Sequence, residues 1–153
     1  MRKNIAKLLI GDVVQKYFVD APFGEVMESL ENTVKKYDFG IQAIHDLKET
    51  YKNKKLSLSE DFEYKIVQIC NAPKSYKALH DMSFDMGIMM PKSIIVAYED
   101  GKTSMRFMKM KPWMVSFMFP KLDVVPLSKH VTEIMTKIVE DTIRGVKSKK
   151  IML

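Results

Sequence analysis

A chain of 153 residues has the length of one domain, and 46% hydrophobic against 29% charged residues is an ordinary globular composition rather than a disordered one. No apolar run approaches the roughly 20 residues that cross a bilayer, and a single cysteine excludes an internal disulfide. The formal charge of +6 is uneven, since residues 101–153 hold eleven Lys/Arg against four Asp/Glu and the first 100 residues are left at −1.

A half carrying +7 attracts nucleic acid, anionic lipid or acidic partners in principle, but a solvated, solubilising surface is the simpler reading. The lone cysteine fits a reducing compartment, and a cytoplasmic location is expected. Residues 1–12 open basic and then apolar. Lys7 interrupts that run and no small-x-small cleavage site follows, so a signal peptide is not expected.

Val13, Gln15, Tyr17 and Val19 alternate with more polar neighbours, the pattern of a half-buried strand. Asp20 is a candidate N-cap, with Pro22 in the first turn, where its missing N–H costs nothing. Phe23, Val26, Met27, Leu30, Val34 and Tyr37 then share one helical face, and Gly40 offers a left-handed stop. Asp38-Phe39-Gly40 matches a kinase tripeptide by chance, because no glycine-rich or catalytic loop accompanies it. Residues 39–46 read as a second strand with Ile41, Ala43 and His45 on one face, and residues 47–56 as a lysine-rich helical connection.

Phe62, Tyr64, Ile66, Gln68 and Cys70 alternate as a third strand. Asn71 or Ala72 caps the next helix, Pro73 fits its first turn, and Tyr76 and Leu79 are expected to face inward. Residues 82–91, with Met82, Met86, Met89 and Met90 around Gly87, read as a loop. Residues 93–99 and 102–110 read as strands joined at Asp100-Gly101, the two-residue signal of a tight hairpin. Pro112 opens a short apolar helix over 113–119, closed by Pro120. After Pro126, Leu127, Val131, Ile134, Met135, Ile138, Thr142 and Val146 trace a long amphipathic helix, with a basic tail at 147–153 expected to fray. The sum is one α+β domain over 1–153: a mostly antiparallel sheet of about five strands, covered by helices and closed by a long C-terminal one.

The string Tyr64-Lys65-Ile66-Val67-Gln68-Ile69-Cys70-Asn71-Ala72-Pro73, followed by Tyr76-Lys77-Ala78-Leu79, resembles the domain-of-unknown-function family 302, found mainly in bacteria and archaea. That family ends a strand in Cys-Asn-Pro, then carries a Gly-hydrophobic-Leu-Pro-Cys segment and a Val-Val-Tyr-Glu strand. Gly87-Ile88-Met89-Met90-Pro91 and Ile95-Val96-Ala97-Tyr98-Glu99 match in order and spacing, and the resemblance spans about 13–145. It implies a small α+β fold that forms homodimers, without an established activity. Two departures stand out: Ala72 intervenes before Pro73, and Lys92 stands where the family commonly has a second cysteine.

Several kinds of chemistry compete for this stretch. A thiol at a strand-to-helix junction is favoured as thiolate, and Lys92 nearby would push the same way; most free cysteines are nonetheless small buried hydrophobes. A single-thiol sulfur-transfer or redox protein using Cys70 is therefore the alternative, one that lacks a resolving cysteine in its own chain. The thirteen methionines raise Cu(I) or haem, but their spacing matches no metal repeat, and His45, His80 and His130 lie on separate elements. No metal ligand set is assigned, and the cofactor stays unknown. Lys102, Arg106, Lys109 and Lys111 with Phe107 and Trp113 could stack and hold single-stranded nucleic acid; a lysine-rich edge strand is favoured instead. Phosphate loops, dinucleotide fingerprints and Ser/His/Asp order are not recognisable. The leading reading is a homodimeric, non-enzymatic module that binds a small ligand. Its expected site residues are Cys70, Asn71, Pro73, Tyr76, Met86, Met89, Met90, Pro91 and Lys92.

Overall fold

The computed structural model describes residues 13–151. The readings made for residues 1–12 and for the last two residues lie outside them. Five strands, β1 (Val14–Val19), β2 (Gly40–Asp46), β3 (Tyr64–Cys70), β4 (Lys92–Glu99) and β5 (Lys102–Met108), form one antiparallel sheet in the order β1-β5-β4-β3-β2. The fold is therefore α+β. Asp100 and Gly101 both take positive φ, 52° and 75°, which makes the tight turn between β4 and β5 that the dipeptide predicts. β5 lies inside the sheet, between β1 and β4, so the expected lysine-rich edge strand is corrected; β1 and β2 are the edges.

Two helices cover one sheet face. α1 (Phe23–Lys36) buries Val26, Met27, Leu30 and Val34, and α5 (Val125–Ile151) buries Met135, Ile138, Val139 and Val146. These pack on Val67, Ile69, Ile94, Val96, Met105 and Phe107 of the central strands. Each large aliphatic side chain fully withdrawn from water contributes about 1.5–3 kcal/mol, so this stripe-on-sheet packing holds the domain together. Small groups let the two helices approach. A Cβ on Gly145 would sit 2.7 Å from Ser29 Oγ, which donates to the Thr142 carbonyl at 2.8 Å.

Local chemistry moved several boundaries. Pro22, at ψ 145°, is the N-cap of α1 and offers no side-chain acceptor, so the cap position falls on Pro22 rather than on Asp20. Thr103 Oγ1 instead ties the entry to β5 by donating to the Ala21 carbonyl at 2.8 Å. The left-handed stop after α1 falls on Asp38 (φ 59°), a residue whose short polar side chain tolerates it, while Gly40 already belongs to β2. A bulge between Ile41 and Ala43 breaks the expected alternation, so Ile41 opposes Ile69 and Ala43 opposes Gln68. α2 (Leu47–Asn53) is capped by Asp46, whose side chain accepts from the Glu49 N–H. It stops short of the expected residue 56 because Lys55 turns left-handed at φ 60°.

Phe62 lies before β3 and stacks on Tyr64. α3 (Ala72–Lys77) is short, and the expected loop at 82–91 is mostly helical: a π turn over Ala78–Met82 and a 3-10 turn over Phe84–Met89. Ser83 Oγ starts the latter by accepting from the Asp85 N–H. α4 (Pro112–Met118) buries Val115 and leaves Trp113 and Phe117 exposed, so it is not packed all round. α5 runs through Lys147 to Ile151. No helix among the described residues is long and apolar enough to cross a membrane.

Candidate functional site

Beyond the main core, a second apolar cluster gathers Ala78, Met86, Val115, Phe119 and Val124 under the 3-10 turn and α4. Between it and the end of the sheet lies an open-mouthed cavity. One wall is the sheet end with Ile69, Cys70, Pro91 and Lys92; the facing wall is the first half of α5 with Leu127, Val131, Ile134 and Met135. Six methionines, Met86, Met89, Met90, Met108, Met110 and Met135, line it. Unbranched thioethers reshape themselves around a guest at little cost, which suits a wall that must adapt.

The strand-to-helix junction is fixed by Asn71. Its side chain is buried; Oδ1 accepts from the Lys74 N–H at 3.0 Å, and Nδ2 donates to the Asp38 carbonyl at 3.1 Å. Asn71 thus caps α3 and staples it to the turn after α1. Its hydrogen bonds are spent on the fold. Ala72 and Pro73 fill the first turn, where a missing N–H costs nothing. With the Lys74 N–H taken by Asn71 and none on Pro73, that turn does not present these donors to Cys70. The thiol is free and half-buried.

Lys92 opens β4 opposite Ile69, one position short of Cys70. It shares the helix-covered face with Ile94, by the alternation of a strand. Burial pushes its ammonium below the usual lysine value of 10.5. No hydrogen bond or ion pair to Lys92 Nζ occurs among the described residues. At the exposed rim, Lys74 Nζ lies 3.0 Å from His130 Nε2, bridging α3 and α5. An ammonium only donates, so the imidazole accepts in this contact. No Asp or Glu lines the cavity.

Of the nine residues expected at a site, seven line this cavity: Cys70, Asn71, Met86, Met89, Met90, Pro91 and Lys92. Pro73 and Tyr76 do not. Tyr76 is 66% exposed and stacks on His80, against the inward orientation expected of it, because a six-residue helix turns only one narrow face to the protein. The sequence reading missed Lys74, His130, Met108 and Met110, and did not connect α5 to the site. The apolar spacing of Leu127, Val131 and Ile134 marks a helix face but not what that face covers. Among the described residues no three His, Cys, Asp or Glu side chains converge as a metal site.

The family model of a domain of unknown function, DUF302, matches residues 15–142. A crystal structure of an uncharacterised conserved DUF302 protein from Bacillus stearothermophilus superposes with a TM-score of 0.65 at 22% identity, covering 86% of this chain and 96% of that one. No curated protein matches the chain.

Proposed function

The chain belongs to the DUF302 family, and within it we propose a non-enzymatic binding module whose cavity, between the sheet end and α5, holds a small and mostly apolar ligand. One observation carries this reading: an open-mouthed cavity is walled by six methionines and by aliphatic side chains, with only a few polar points. Pockets for small molecules combine these features, apolar walls for affinity and sparse polar groups for orientation. Cys70 and Asn71 form part of the wall in this reading, the first as a soft apolar surface and the second as the staple that holds α3 in place.

Nile red, a neutral dye that brightens in apolar surroundings, tests it. The folded protein should enhance its fluorescence saturably, and Val131→Trp, which fills the cavity from α5, should abolish most of that signal while circular dichroism stays unchanged. No enhancement, or equal enhancement by the filled variant, removes the reading. The homodimer implied by the family resemblance is part of the same proposal. Sedimentation equilibrium supports it with twice the chain mass and removes it with a monomer at every concentration.

A further inference from the structure

We infer that the ligand is an amphipathic monoanion, with an apolar chain against the methionines and a single negative head on the Lys92 ammonium. This rests on the binding reading above and names the chemical class of what is bound. The first support is Lys92 itself. It enters the cavity from the sheet wall beside Ile69 and Pro91, and its Nζ has no partner among the described residues. A partly desolvated ammonium without a counter-charge is an unfavourable arrangement that a bound anion would relieve.

The second support is the sign of the lining. Its ionisable side chains are Lys92, Lys74, His130 and the Cys70 thiol, with no carboxylate among them. A cationic ligand would meet only repulsion from the lysines. A neutral one would leave the Lys92 charge uncompensated and cover it further. The count of donors limits the head to one charge. Lys74 sits at the exposed rim, where water solvates its charge, so Lys92 is the one ammonium inside. A dianionic phosphate would bury more charge than one ammonium offsets. The rest of the wall, Met86, Met89, Val115, Leu127 and Ile134, is apolar and accounts for the chain.

Isothermal titration with decanoate and with 1-decanol, each below its aggregation concentration, reads this directly. In the unsubstituted protein decanoate should bind roughly tenfold tighter than decanol, the equivalent of one charge-assisted hydrogen bond. Lys92→Met should lose that preference, and Lys92→Arg should keep it. Equal affinity for acid and alcohol in the unsubstituted protein overturns the anion inference and leaves the apolar cavity standing. A preference that survives in Lys92→Met overturns Lys92 as the head partner. Binding of neither compound, with no Nile red signal, overturns the inference and the binding reading together.

Discussion

Replacing Lys92 by Met should make the protein more stable. The ammonium is charged at neutral pH, lies half-buried on the helix-covered face of β4, and meets no counter-charge among the described residues. Methionine has a similar length, no charge, and thioether neighbours in Met89 and Met90. A fully buried unpaired ion costs several kcal/mol. Partial solvation of Lys92 reduces that, so the gain is on the order of 1 kcal/mol, about 2–4 °C in Tm for a chain of this size. The pH dependence gives the signature. Because burial holds the folded-state value below 10.5, the unfolded chain binds more protons between the two values, and natural-sequence stability rises with pH there. The gap between variant and parent should therefore be widest near neutral pH and close as pH passes 10.5. Urea unfolding followed by circular dichroism at pH 7 and pH 10 measures both. A variant less stable than its parent at pH 7, or a gap indifferent to pH, would refute the reasoning. A site that gains stability and loses ligand preference with one substitution is what binding groups held against their own solvation produce.

Other outcomes follow from the packing. Gly145→Ala improves helix propensity by about 1 kcal/mol, but its Cβ would lie 2.7 Å from Ser29 Oγ; the clash between α1 and α5 should win by about 1–2 kcal/mol in urea unfolding. Asn71→Ala removes the cap of α3 and its staple to Asp38, so about 2 kcal/mol should be lost and Nile red binding should weaken. Glu99 is hydrogen-bonded by Lys16 at 2.6 Å and also by Arg106, which holds its carboxyl below the ordinary glutamate value of 4.5. Its stabilisation is complete above that value and is lost as pH falls through the lower folded one. Glu99→Gln should therefore flatten the acid limb of a Tm-against-pH curve, and an unchanged limb would show that the cluster contributes nothing.

The elements that local chemistry dictates were legible in the sequence. Asp100-Gly101 specified its hairpin because both residues accept positive φ, and the apolar faces of α1 and α5 followed from helical spacing. Features set by long-range pairing were not. Alternation gave β1 a buried face but not β5 as its neighbour, so the basic strand was placed at an edge it does not occupy. The bulge after Ile41 leaves no mark in composition, and it turns Ala43 away from the face that Ile41 shares. Residues 82–91 looked like a loop because methionine spacing over two different helical turns has no single period. The candidate site was readable at its strand-to-helix junction, where Cys70 and Asn71 carried the resemblance and Lys92 marked a departure from it. Its other wall was not, since Leu127, Val131 and Ile134 could have faced any apolar surface. Tyr76 was misplaced because two residues three apart do not fix the orientation of so short a helix.

The cavity as a ligand site is tested most directly by methyl NMR on protein carrying 13C-methyl methionine, titrated with decanoate. The methyls of Met86, Met89, Met90, Met108, Met110 and Met135 line the space and should shift together and saturate at one affinity. Met27 and Met105, buried in the main core, should stay where they are. Saturable shifts confined to the lining set are the predicted result; no saturation, or shifts that spare the lining and fall on Met27 and Met105, would contradict the account.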